Sequence, residues 1–111
     1  MGFNASLKSS QAAAQYLEMR GFEIIELNFR RSKFRIDIIA KNKGIICFVF
    51  VRLIDFAAAP SDWTTTSQLV HMKLAAARWI EENEYLGPIN YDSIEMDADS
   101  QSIISFSEGF I

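Results

Sequence analysis

Between Phe22 and Ile54 the chain carries three strand-length stretches, Phe22 to Phe29, Phe34 to Ala40 and Ile45 to Ile54, separated by two short polar links. No other feature limits the fold as tightly. Links as short as Arg31-Ser32-Lys33 and Lys41-Asn42-Lys43-Gly44 allow a reversal of direction but not a crossover, which predicts an antiparallel meander. Asn42 to Gly44 is polar and ends in glycine, so the second and third strands are expected to form a hairpin. The apolar run from Ile45 to Val51 stops at Arg52, far short of the roughly 20 residues that a membrane-spanning helix needs.

The flanking segments have helical period. Ser6 to Arg20 is predicted as a helix: Ala12, Ala13 and Ala14 favour it, Leu7, Ala13, Tyr16, Leu17 and Arg20 recur at helical spacing, and Gly21 supplies a stop. Asp55 to Thr66, with Pro60 and three consecutive threonines, reads as a loop leading into a second helix. That helix, Ser67 to Asn83, carries Leu69, Met72, Ala76, Trp79 and Ile80 on one stripe. Glu81, Glu82 and Glu84 sit at its C-terminal end, where the helix dipole disfavours acids. Beyond Gly87-Pro88, two more strands are expected, Ile89 to Met96 and Ser102 to Phe106, around an Asp97-Ala98-Asp99 turn. The order α-β-β-β-α-β-β implies one mixed α/β domain over residues 1–111, with a central sheet flanked by helices.

Half of the 111 residues are apolar, and nine Phe and two Trp supply a core that needs no disulfide or structural metal. Cys47 is the one cysteine and His71 the one histidine, so Cys-rich zinc sites and Ser-His or Cys-His catalysis are disfavoured. Cys47 alternates with apolar neighbours and reads as core, whereas His71 reads as a boundary residue of the second helix. The opening MGFNASLKSS has no basic flank before an apolar stretch, which makes a cytoplasmic location the expectation and a membrane partner an unexpected one. Charge is unevenly spread. The net −3 combines +5 between Arg20 and Arg52 with −8 from Leu53 onward. A basic face on an acidic protein is one reading of that asymmetry, and ordinary solvated charge the other.

Strict alternation along the second strand puts Arg35, Asp37 and Ile39 on one face and Phe34, Ile36 and Ile38 on the other. On the third strand Phe48, Phe50 and Arg52 share a face opposite Cys47, Val49 and Val51. Asp37 is then a polar residue set among isoleucines, and hairpin pairing brings it near Phe50 and Arg52.

At these residues the chain resembles the small YraN-like proteins, whose fold is that of restriction endonucleases of the PD-(D/E)XK type. Ala13 to Phe22 is similar to that family's first helix and turn, and Asn28-Phe29-Arg30 to its Asn-aromatic-Arg segment. Phe34-Arg35-Ile36-Asp37-Ile38-Ile39-Ala40 occupies the Gly-Glu-Ile-Asp-Leu-Ile-Ala strand, and Phe48-Val49-Phe50-Val51-Arg52 the Phe-Val-Glu-Val-Lys strand. Ala76 to Ile80, Tyr91 to Ile94 and Gly109-Phe110 are similar to the family's later helix, strand and closing residues. The resemblance implies a restriction-endonuclease-like α/β fold.

It also implies a nuclease site from which most ligands are gone. Nucleases of this type hold Mg²⁺ on carboxylates beside a lysine. Here Asp37 alone remains: Ser10, Arg35 and Phe50 stand where the family has glutamates, Arg52 replaces the motif lysine, and Gln68 replaces a lysine at the start of the later helix. Two guanidinium groups beside one carboxylate oppose a dication, so the expectation is no catalysis and no metal, with Mg²⁺ relevant only to a nuclease whose acids have migrated to positions such as Glu23, Glu26 or Asp55.

The leading expectation is a non-catalytic protein that contacts the backbone of DNA or RNA through Arg30, Arg31, Lys33, Arg35, Lys41, Lys43 and Arg52. A salt-bridge cluster serving only to satisfy Asp37 is the plainer reading of Arg35 and Arg52. The runner-up function is a scaffold in which an apolar patch around Phe50 and the Trp63 loop meets a protein partner or a second copy as a homodimer. Trp63 either anchors its loop or stacks on a base or partner.

Overall fold

A computed structural model of the chain describes residues 7–55 and 66–111. The segment containing Trp63 lies outside the described residues. The elements are α1 (Leu7–Met19), β1 (Glu23–Arg31), β2 (Phe34–Asn42), β3 (Ile45–Ile54), α2 (Thr66–Glu82), β4 (Ile89–Asp97) and β5 (Ile103–Ser107). They follow the α-β-β-β-α-β-β order that the sequence predicts.

The five strands form one sheet in sequence order, β1-β2-β3-β4-β5. β1, β2 and β3 make the antiparallel meander, β4 adds parallel to β3, and β5 returns antiparallel to β4. The mixed sheet follows from chain length between strands: two-residue turns permit only antiparallel neighbours, whereas the long connection through α2 permits a parallel one. The β2–β3 turn is Lys43-Gly44, with φ of 53° and 78°. Two consecutive positive φ values define the primed hairpin turn that matches strand twist.

α1 stops in a Schellman motif. Gly21, at φ 91°, donates to the Glu18 carbonyl at 3.0 Å, and Phe22 donates to that of Leu17, also at 3.0 Å. Leu17 and Phe22 are both buried in the same core cluster, the hydrophobic contact that accompanies this cap. α2 ends similarly at Glu84 and Tyr85, with the Asn83 side chain donating to the Trp79 carbonyl at 2.9 Å.

The helices cover opposite faces of the sheet. Ala13, Ala14 and Leu17 of α1 pack with Ile38, Ala40, Cys47, Val49 and Val51, and Ile94 and Met96 extend that layer. Met72, Ala75, Ala76 and Trp79 of α2 pack with Ile39, Ile46 and Phe48 on the other side. Trp79 meets the Phe48 ring edge-on, with centroids 5.8 Å apart.

One departure from the sequence expectation shapes the site. Phe34 and Ile36 do not share the layer of Ile38; they pack with Phe29 and Ile39 in the α2-side core, while Ile38 lies in the α1-side core. β1 switches layers at the matching point, with Leu27 against the α1-side core and Phe29 buried in the other. Between them Asn28 takes a left-handed φ of 52°. Asparagine tolerates this conformation better than most residues. It breaks the period-two pattern of the hairpin, which strict alternation cannot foresee.

Candidate functional site

The layer switch lies where β2 leaves β3. Pairing between these strands runs from Asn42↔Ile45 to Ile38↔Val49 and goes no further. Past Val49, β3 would have a buried N–H without a backbone acceptor, and the Asp37 side chain supplies one: Val51 N–H donates to Asp37 Oδ2 at 2.7 Å. Asp37 is 1% exposed, and its Oδ1 accepts no hydrogen bond among the described residues. The nearest recorded cation is Arg35 Nη2, 3.3 Å from Oδ1. Burial pushes the Asp37 carboxyl up to about 6, against the opposing pull of Arg35, the Val51 N–H and Arg30.

Arg30 and Arg35 are direct cross-strand partners in the β1–β2 hairpin. Like charges in that relation repel, and a diagonal Asp37 offsets the repulsion only in part. Two cations and one anion leave this end of the hairpin with one excess positive charge when Asp37 is ionised. Lys33, exposed in the turn, adds another. Ser10 of α1 is fully buried, and its hydroxyl lies 3.4 Å from Asn28 Oδ1, so it adjoins the same kink.

Other predicted residues have different surroundings. Arg31 reaches α2, where Nε and Nη2 donate to the Glu82 carboxylate at 2.7 and 2.6 Å. This fork places a cation beside an acid at the helix C-terminus, relieving the dipole cost expected there. Arg52 pairs with Glu95 of β4 at 3.2 Å, and Glu95 also accepts from the Ser105 hydroxyl at 2.7 Å. Desolvation lowers the Arg52 pKa while Glu95 opposes it. Phe50 is half-buried toward α2 and lines a shallow surface hollow with Gln68, Leu69 and Met72.

Lys41 and Lys43 are not neighbours of Arg30 and Lys33. The two turns sit at opposite ends of β2, and the six-residue step from Arg35 to Lys41 is about 20 Å at 3.3 Å per residue. Lys41 is instead paired in register with Glu23. The basic stretch of the sequence therefore divides into two patches. Its charge could be counted from residue types, but its placement required the strand directions.

Sequence reasoning named Asn28 only within the Asn-aromatic-Arg segment and Glu82 only as an acid at the end of the second helix, gave neither a place at the site, and did not single out Glu95. Only Asn28 carried a local signal, as an asparagine within a strand run. The acids face Arg31 and Arg52 through contacts 51 and 43 positions apart. Asp92 is also buried: Oδ1 accepts the Gly109 N–H at 2.8 Å, Oδ2 has no hydrogen-bond partner among the described residues, and burial pushes its pKa up. It ties the C-terminal segment to β4, beside a second backbone bond from Phe110 N–H to the Tyr91 carbonyl. No helix among the described residues is long and apolar enough to cross a membrane.

The α-β-β-β-α-β-β chain, with its mixed sheet between helices and Asp37 where β2 parts from β3, defines a restriction-endonuclease-like α/β protein. The family model described as "Uncharacterised protein family UPF0102" matches residues 10–98, and the chain belongs to that family, the YraN-like proteins. A UPF0102 protein of Christiangramia forsetii is 33% identical over 89 residues, covering 78% of this chain and 75% of the relative. One from Cytophaga hutchinsonii is 30% identical over 90 residues, covering 79% and 80%. A shorter match, 44% identical over 46 residues, joins it to a UPF0102 protein of Chlorobium phaeobacteroides, covering 41% and 36%.

Proposed function

We propose that this protein is a nuclease-fold domain without nuclease chemistry, and that it holds the sugar-phosphate backbone of a nucleic acid at the tip of the β1–β2 hairpin. The Arg30–Arg35 cross-strand pair carries the reading, because adjacent guanidinium groups that repel each other become favourable when an anion lies across both. Lys33 extends the patch around the turn. Arg31 contributes less, since its fork is engaged by Glu82.

The residues present do not fit a magnesium ion. Asp37 Oδ2 already accepts a backbone N–H, Oδ1 faces a guanidinium, and Phe50 and Ser10 offer no carboxylate. Among the described residues no three His, Cys, Asp or Glu side chains are grouped to hold a metal. The expected chemistry is therefore retention of phosphate rather than its cleavage.

The test is fluorescence anisotropy with labelled single- and double-stranded DNA and RNA, with and without Mg²⁺. The wild type should bind without Mg²⁺, with log K falling against log salt at a slope of about −2 to −3 for three phosphate contacts. An Arg30→Ala/Arg31→Ala/Lys33→Ala variant should lose most of that affinity, whereas Arg31→Ala alone should lose little. Unchanged affinity in the triple variant refutes the assignment. Affinity indifferent to salt would instead favour an apolar protein interface, and Mg²⁺-dependent cleavage lost on Asp37→Asn would restore the nuclease.

A further inference from the structure

We propose that the tip of the β1–β2 hairpin selects single-stranded nucleic acid: an unpaired base stacks against Phe34 and His71 on one face while its phosphate lies across Arg30 and Arg35 on the other. This rests on the backbone-binding reading above and names the form of nucleic acid that the tip serves.

The tip has two faces joined by an open edge. Pairing of β1 with β2 continues to Arg31↔Phe34, whereas pairing of β2 with β3 stops at Ile38↔Val49. Phe34 to Ile36 therefore have β1 on one side and no strand on the other among the described residues. Phe34 and Ile36 turn toward the α2-side core, so Arg35 between them, and Arg30 across from it, take the opposite face. Phe34 and Arg35 are consecutive, with Cα atoms about 3.8 Å apart. One nucleotide passing round the free edge of β2 can then set its base on the first and its phosphate against the second.

The aromatic pair stands at the rim of its core layer. Phe29 and Phe48 in that layer are 1% and 0% exposed, whereas Phe34 and His71 are each only partly buried. The Phe34 and His71 ring centroids lie 5.4 Å apart with planes inclined at 55°. Rings at that angle form a corner, in which a flat base lies on one ring and meets the other by its edge. Val70, next to His71 in α2, is 48% exposed and extends the apolar border. Arg31, the register partner of Phe34, is held over the Phe29 ring at 4.3 Å and in the Glu82 fork.

A duplex cannot use both faces. Its bases are paired inside the helix, so it presents phosphates to Arg30 and Arg35 but no base to Phe34 unless one is flipped out. An unpaired strand offers both groups, and stacking accepts any base because every base has a π-face. The cations of the tip supply affinity, and the aromatic corner supplies the choice of strand form.

The experiment measures anisotropy with fluorescein-labelled probes: oligothymidylate, an abasic strand of the same length and charge, and a DNA duplex either blunt or tailed with thymidylate. Wild type should bind oligothymidylate about tenfold more tightly than the abasic strand, the effect of one stacked base. Both affinities should fall as salt rises while their ratio holds, since stacking carries no charge. The thymidylate tail should strengthen duplex binding. Phe34→Leu should bind the two single strands equally, and Phe34→Tyr, which restores a ring, should recover the preference. His71 is the one histidine of the chain, so its imidazole C–H signals are unambiguous by NMR. In the wild-type protein, which needs no variant, they should shift upfield with oligothymidylate and move far less with the abasic strand. Equal wild-type affinity for the two strands, a tail that adds nothing, a preference that Phe34→Leu leaves intact or Phe34→Tyr fails to recover, or imidazole signals that move alike with both strands would each overturn the stacking corner and leave the backbone reading standing. Absence of wild-type binding to every probe would overturn both.

Discussion

Replacing Asp37 by asparagine should change how stability depends on pH, by an amount the fold sets. The carboxyl is 1% exposed and titrates near 6, against an ordinary value of 3.8. That gap corresponds to about 3 kcal/mol at about 1.4 kcal/mol per unit. The folded chain holds this proton more firmly than the unfolded chain, so the contribution is complete below the unfolded value and is lost as pH rises through the folded one. Between pH 4.5 and 7.5 the wild type should therefore lose about 2 kcal/mol relative to Asp37→Asn, which has no proton to give up at this position. Asp92, whose pKa burial also raises, acts in the same direction but is present in both proteins and cancels. Urea unfolding followed by circular dichroism at pH 4.5, 6.0 and 7.5 measures the difference. Parallel curves for the two proteins would refute the argument that desolvation dominates the environment of Asp37.

Phe48, fully buried between Trp79 and Tyr91, should cost about 3–5 kcal/mol when changed to alanine, read as a drop in the urea midpoint. Asn28→Gly should cost about 1 kcal/mol, for the lost acceptor of the buried Ser10 hydroxyl, since glycine accepts a φ of 52° without strain, whereas Asn28→Val should cost about 2 kcal/mol more; equal melting temperatures for these two variants would remove the kink from the account. The Cys47 thiol, pushed up to about 12 by burial and then by Asp92, should resist a disulfide-exchange reagent at pH 8 in the folded protein and react once urea is added.

The secondary structure was legible because its signals are local. β3 has the bounds that the apolar run and its flanking turns predict, and α1, ending at Met19 rather than Arg20, stops at the glycine expected to stop it. The antiparallel hairpin between β2 and β3 likewise followed from a four-residue link. The layer switch at Asn28 and Asp37 was hidden, because two strands change face together and neither alone breaks the hydrophobic pattern. The grouping of charges was hidden for another reason: Arg31 meets Glu82 through the packing of α2 on the sheet, and Arg52 meets Glu95 as its register partner across the parallel β3–β4 pair, neither of which is local in sequence. A count of bases along the chain could not separate Lys41 and Lys43 from Arg30 and Lys33, since that division depends on where the turns end up.

The parallel seam between β3 and β4 also orders the events of folding. α1 and the meander consist of neighbours in sequence, so they can assemble through small loop closures, whereas Ile46 must find Ile89 and Val51 must find Ile94 across the whole α2 excursion. That distant closure is the slow one, and until it happens the edge of β3 is bare along Ile45–Ile54, the most apolar strand of the protein. Self-association during refolding should therefore begin at β3, and conditions that speed the docking of β4 should suppress it.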